Sequence, residues 1–250
     1  MSAPPNLPAT DQGLSAAWTA TEEQQAGVPF AWLARWCGRL LGLYARLVAA
    51  TARVSGPPIT QSQAVFAIWH ESNLAAATAS YKLRNVKRVV SFSTRGFRGI
   101  VINVLLESIG AAAVALPPEG KQTRAEAARL SLELARIGRE GASLVVSCDG
   151  PFGPHHIAKP GVLLVAREAG LPIQPWALAI RPPVRLTRRW DRQLVPLPFC
   201  RMRVDEGHVI ELRPREALKP RLAELQAELE RITALADRRM EDRGVPRMRP

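Results

Sequence analysis

The chain has 250 residues, of which 47% are hydrophobic and 22% charged; that is enough to build a core without disulfides or a structural metal, and too apolar for wholesale disorder. Its 34 basic residues outnumber 22 acidic ones for a net charge of +12, and only five of the 34 are Lys; an Arg excess suits an anionic partner, although GC-rich coding gives the same bias. Three isolated cysteines, no apolar run near the ~18 residues of a spanning helix and no charged leader argue against zinc, disulfides, membrane crossing and secretion.

Residues 1–28 read as a flexible tail, with Pro4, Pro5 and Pro8 among polar residues. From Phe30 the texture changes. Phe30, Leu33, Trp36, Leu40, Tyr44 and Leu47 recur at three- and four-residue steps, while Arg35, Arg39, Arg46 and Arg53 fall on another face. This predicts an amphipathic helix within 29–58, ended by Gly56-Pro57-Pro58. It is either an interfacial helix or one docked on the domain with its Arg side chains in water.

Strands and helices then alternate. Strands are expected over 63–69, 86–92, 110–116, 142–148 and 173–180, and helices over 72–83, 99–109, 123–139 and 161–169. Thr123, with Glu126 three residues on, forms a candidate capping box. Residues 201–212 predict a strand or hairpin. Leu218, Leu222, Leu225, Leu229 and Ile232 mark a closing helix from 216, packed on its own domain or paired in a dimer, before a basic tail to 250. Near-continuous apolar strands between helices predict an α/β fold: a single layered domain over 59–215 with a largely parallel sheet flanked by helices, plus N- and C-terminal helices.

In such sheets chemistry collects where strands give way to loops. His70, followed by Glu71, lies at the first such junction, a position for a general base. Ser93, Arg95 and Arg98, with Gly96 and Gly99, offer hydroxyls, cations and backbone N–H groups to an oxyanion, though the glycines also suit a plain turn. Asp149-Gly150-Pro151-Phe152-Gly153-Pro154 and then Lys159-Pro160-Gly161 form a stiff loop, able to fix a carboxylate or simply to turn the chain. The vicinal His155 and His156 seldom suit one ion and read as loop surface, so no metal is expected. Aromatic residues, at 6%, do not interleave with basic ones, so no nucleic acid partner is expected.

The run Asp149–Pro154, with Lys159-Pro160-Gly161, Gly170-Leu171-Pro172 and Trp190-Asp191-Arg192 ahead of Pro196 and Pro198-Phe199, resembles one known group. These are the lysophospholipid acyltransferase-like proteins of the domain-of-unknown-function 374 group, within the glycerolipid acyltransferase superfamily. The resemblance runs over about 60–212. His70 matches the His of the superfamily's His-x4-Asp motif, and Leu171-Pro172-Ile173-Gln174-Pro175 its late Pro-containing strand. The motif's Asp falls on Ala75, and the expected Gly-Ser-Ser patch reads Pro118-Glu119-Gly120-Lys121.

The resemblance implies transfer of a fatty acyl group from a CoA or acyl-carrier-protein thioester, as co-substrate, to the hydroxyl of a lysophospholipid or related lipid, with no bound cofactor. It implies His70 as general base, with Asp149 or Glu71 as orienting carboxylate; Asp149 has the further option of binding an acceptor hydroxyl. Gly150 and Gly153 would supply oxyanion donors, and Ser93, Arg95, Arg98 and Lys159 would bind substrate, the cations through phosphate. It also implies a peripheral place on the cytoplasmic face of the cell membrane. The N-terminal helix would hold the enzyme at an anionic surface, aided by a second basic cluster of Arg181, Arg185, Arg188, Arg189 and Arg192 around Trp190 and Asp191. The rival reading is a non-catalytic lipid- or phosphate-binding protein that keeps the fold.

Overall fold

The computed structural model describes residues 27–57, 59–80, 88–93, 96–115 and 124–242. Helix α1 (Ala31–Thr51) leads to strands β1 (Arg53–Ser55) and β2 (Val65–Ile68), then α2 (Asn73–Ser80). Next come β3 (Val89–Ser93), α3 (Gly96–Ser108), β4 (Ala112–Ala115) and α4 (Arg124–Arg139). The chain closes with β5 (Ser143–Ser147), α5 (Gly161–Ala169), β6 (Ile173–Arg181), β7 (Arg201–Glu206) and α6 (Leu218–Asp242). The seven strands form one sheet in the order β1-β7-β6-β2-β5-β3-β4, parallel except where β6 meets β7.

Val65–Ile68 is buried at every position and pairs on both sides, so both faces of the sheet need helices. Val65, Ala67, Ala177 and Ala179 point into a core with α4, α5 and α6; Phe66, Ile68, Trp176 and Leu178 point the other way, towards α1 and α2. Alternate residues of one strand thus feed opposite layers. The C-terminal stripe packs on its own domain: Leu225, Leu229, Ile232, Ala236 and Met240 are buried in the first core.

Helix α1 meets the domain through small residues. Ala34, Gly38, Gly42, Ala45, Val48 and Ala49 are buried, and α1 lies so close to α3 that a Cβ on Gly38 would sit 2.7 Å from Val104 Cβ, while one on Gly42 would strike Ser108. Its larger apolar residues face outward: Leu33, Trp36, Leu40, Leu43 and Leu47 are all exposed. Tyr44 and Leu41 are exceptions: Tyr44 is half-buried with its hydroxyl donating to Pro196 O at 2.6 Å, and Leu41 packs on the cluster of Ala45, Ala77, Leu105 and Ile109.

Several boundaries differ from expectation. The first helix ends at Thr51, and Arg53–Ser55 leaves it to pair with β7, which locks residues 53–55 to 201–203. Helix α3 starts three residues earlier than expected, at Gly96. The segment 201–212 is a strand to Glu206, followed by a single bridge between Ile210 and Ile173. Arg95, Pro118–Lys121, Thr123 as a cap and most of the expected N-terminal tail lie outside the described residues.

Candidate functional site

β2 and β5 are parallel neighbours, so the residues that follow them emerge side by side at one sheet edge. After Ile68, extended Trp69 leads into a single 3₁₀ turn, His70–Ser72, which starts α2. The turn is fixed from the next strand: Asp149 Oδ1 accepts the His70 backbone N–H at 2.9 Å, and Oδ2 that of His156 at 3.3 Å. Burial, only partly offset by those hydrogen bonds, holds the Asp149 carboxyl above its ordinary value.

The carboxylate that meets the imidazole is Asp191. His70 Nδ1 lies 3.0 Å from Asp191 Oδ2, and Asp191 is fully buried. Arg189 grips the same carboxylate with two hydrogen bonds of 2.8 Å. Burial pushes the Asp191 carboxyl up, but the Arg189 hydrogen bonds and charge, with His70, outweigh it and hold the group below its ordinary value. An ionised acceptor at Nδ1 puts the imidazole hydrogen there and leaves Nε2 its lone pair. His70 keeps access to solvent, its side chain being 23% exposed.

Asp191 arrives on the excursion 182–200 between β6 and β7. That excursion folds on itself through a bridge between Arg185 and Leu194 and docks on Glu71: Leu194 N–H and Gln193 Nε2 donate to Glu71 O at 2.8 and 2.6 Å. Arg185 adds an ion pair of 2.5 Å to the Glu71 carboxylate. Trp190 then stands beside the imidazole, ring centres 5.0 Å apart. It lies over Gly153, at φ +68°, where a Cβ would meet Trp190 Cε3 at 2.6 Å; Gly is required there for both backbone and space.

Two expectations are therefore corrected. Asp149 holds the backbone of His70 rather than its ring. Glu71 does not reach the imidazole either, because its buried carboxylate is taken by Arg185, His155 and His156. Burial raises the Glu71 carboxyl, but His156, Arg185 and His155 together bring it below its ordinary value. The vicinal histidines are not loop surface. Their side chains are 22% and 29% exposed; His156 stacks on Trp69 at 4.6 Å and His155 on His156 at 3.9 Å. Glu71, His155 and His156 bring three donor atoms within 4.8 Å. The two rings are only 12° from parallel, so their in-plane lone pairs run side by side rather than converging on one ion.

The remaining candidates divide. Lys159 lies over Gly150, where a Cβ would be 3.3 Å from Nζ, so its ammonium belongs to this cluster. The Gly150 N–H is committed to Ser147 O at 3.1 Å, which removes it as an oxyanion donor. Ser93 ends β3 on the far side of β5; it is buried, and its hydroxyl has no hydrogen-bond partner among the described residues. Arg98 is exposed in the first turn of α3. Sequence reasoning missed Asp191 as the partner of His70. The available signal was its isolation among five arginines, inside a motif already singled out.

The sheet order and the two helical layers define an acyltransferase-like fold. The crystal structure of the 1-acyl-sn-glycerophosphate (LPA) acyltransferase PlsC from Thermotoga maritima is similar with a TM-score of 0.51, over 86% of each chain at 12% identity. Among curated proteins, an uncharacterised protein of Rickettsia prowazekii (strain Madrid E) is 24% identical over 155 residues, which span 62% of this chain and 66% of that one. No protein-family model matches the chain.

Proposed function

We propose that the protein transfers a fatty acyl group from a CoA or acyl-carrier-protein thioester to the hydroxyl of a lysophospholipid or related lipid. The observation that carries this is the His70 imidazole held at 3.0 Å by the buried, ionised Asp191, at the strand-end edge of an acyltransferase-like fold. A hydroxyl attacks too weakly at neutral pH unless a base takes its proton, and His70 Nε2 is that base. The acceptor oxygen bonds to the thioester carbonyl carbon while its proton passes to Nε2. The C–S bond then breaks and the imidazolium returns the proton to the departing thiolate. Asp191 stabilises the transient imidazolium, and the Lys159 ammonium beside Gly150 is a cation available to the oxyanion. The motifs around Asp149 and Trp190 support the narrower likeness to the domain-of-unknown-function 374 group.

A lipid acceptor requires an interface. No helix among the described residues is long and apolar enough to cross a membrane, but α1 presents Leu33, Trp36, Leu40, Leu43 and Leu47 to solvent with Arg35, Arg39 and Arg46 also exposed. An exposed apolar stripe beside arginines suits insertion among acyl chains at an anionic surface, on the cytoplasmic face in this reading. The test measures thiol release from acyl-CoA with lysophosphatidic acid, on anionic vesicles. Release that needs both acceptor and His70 supports transfer; lipid binding without release favours the non-catalytic reading.

A further inference from the structure

Glu71 follows the candidate base directly, and its side chain serves neither face of the imidazole. It is instead the point where the two loops flanking His70 meet. From the loop after β5, His155 Nε2 lies 3.2 Å from Glu71 Oε2 and His156 Nε2 3.2 Å from Oε1. From the excursion between β6 and β7, Arg185 reaches Oε2 at 2.5 Å, while Leu194 N–H and Gln193 Nε2 donate to the main-chain oxygen of the same residue. The Glu71 side chain is only 3% exposed. A buried carboxylate is costly unless paired, and these partners all come from segments distant in sequence, so its burial draws them together.

The excursion is a narrow hairpin at its base. Arg185 bridges to Leu194, Leu186 N–H donates to Gln193 O at 3.0 Å, and Val195 N–H to Val184 O at 2.9 Å. Its tip carries Arg189, Trp190 and Asp191. The hydrogen bonds from Arg189 to Asp191 lie within that tip and travel with it. Its distance from His70 is set lower down, where Glu71 takes one side of the hairpin through its carboxylate and the other through its main-chain oxygen. The second loop adds the seat at Gly153 against which Trp190 rests, and that loop too is held by Glu71 through His155 and His156.

We propose that Glu71 is a positioning residue, whose carboxylate ties both loops to the His70 turn and thereby holds Asp191 at His70 Nδ1. The inference rests on the acyltransferase reading for its effect on rate, and on geometry alone for its effect on the imidazole. The fold tolerates loss of the charge: Arg185 also faces Asp237 of α6, and the rings of His155 and His156 are partly exposed.

The test is NMR of the full chain with isotope-labelled histidine ring nitrogens in alkaline buffer, where the signals of His70 are assigned by their loss in His70→Gln. A carboxylate at Nδ1 places the hydrogen there, whereas a neutral imidazole free in water prefers it on Nε2. The parent should carry it on Nδ1, and Glu71→Gln should shift it towards Nε2 with the melting transition still cooperative. In acyl transfer, Glu71→Gln should lower kcat by about ten- to a hundredfold with KM within about twofold of the parent. Placed on Asp191→Asn it should cost less than about threefold more, since a residue acting through Asp191 has little left to position. Should Glu71→Gln fail to fold, Arg185→Gln removes the ion pair from the excursion side and decides by the same readouts. Hydrogen on Nε2 in the parent, an unchanged tautomer in the variant, or rate losses that multiply in the double variant overturn the proposal. A parent that transfers no acyl group, but whose tautomer moves when Glu71 is changed, refutes the enzymatic reading and leaves the positioning role standing.

Discussion

Replacing Asp191 by Asn isolates the charge at the back of the imidazole while keeping the side chain's shape. In the parent, the carboxylate accepts from His70 Nδ1 at 3.0 Å and from Arg189 twice at 2.8 Å, fully shielded from water. An amide can donate to Nδ1 as readily as accept, which moves the imidazole hydrogen to Nε2 and abolishes the lone pair that must take the acceptor's proton. It also removes the anion that stabilises the imidazolium. Losing both effects together is worth about 3–5 kcal/mol of transition-state stabilisation, or roughly 10²–10⁴-fold in kcat. The fold should suffer much less. The Arg189 side chain is already 46% exposed and can return to water, so a stability loss of about 1–2 kcal/mol is expected. Arg189→Gln, which leaves the carboxylate in place, should cost less than tenfold in rate. The assay is thiol release from acyl-CoA, with His70→Ala as reference and melting temperature measured on each protein. An Asp191→Asn protein with parental kcat, beside an inactive His70→Ala protein, would refute the orienting role.

Further outcomes follow from the packing around that pair. Gly153→Ala places a methyl against Trp190 in a backbone conformation that disfavours side chains; it should cost about 1–3 kcal/mol in chemical denaturation and lower acyl transfer by displacing the Trp190-Asp191 segment. Gly38→Leu should force α1 away from α3, lowering the melting temperature, whereas Leu40→Ser on the exposed side should leave it unchanged while reducing vesicle binding. Glu71 and Asp191 both lie below ordinary carboxyl values. Each therefore stabilises the fold fully above an unfolded pKa of about 4 and loses that contribution as pH falls through the lower folded value. Asp149, raised by burial, acts in the opposite sense. Melting temperature measured from pH 6 to pH 2.5 should fall less steeply in Glu71→Gln than in the parent; identical slopes would contradict the assignment.

The central strands were legible because Val65–Ile68, Leu144–Val146 and Ile173–Ile180 are hydrophobic on both faces, a pattern that only a helix-covered sheet accommodates. The α6 stripe was legible for the matching reason at helical period. β1 was not: Arg53–Ser55 has no strand pattern, and its extended form comes from pairing with residues 201–203. The side of α1 that faces the domain was obscured because glycine and alanine carry weak hydrophobic signals, while closeness to α3 is what buries them. The reading of a helix docked on the domain describes its inner face, while its outer face carries exposed apolar residues and arginines. At the site, His70 and Asp149 stood out because they follow strands directly. Asp191 did not, since a carboxylate amid Arg181, Arg185, Arg188, Arg189 and Arg192 reads as surface charge until the 182–200 excursion folds it inward.

The reach of that excursion has a consequence for synthesis. His70 and Asp191 are 121 residues apart in the chain, and a chain growing from its N-terminus has made β2, β5 and all of β6 before Asp191 exists. A nascent domain can thus assemble its central sheet while the imidazole has no acid behind it, and the base becomes oriented only when the last third of the chain arrives and Leu194 and Arg185 close on Glu71. In the proposed acyltransferase reading, competence to react is gained late, after the helix that would meet a membrane has already been made.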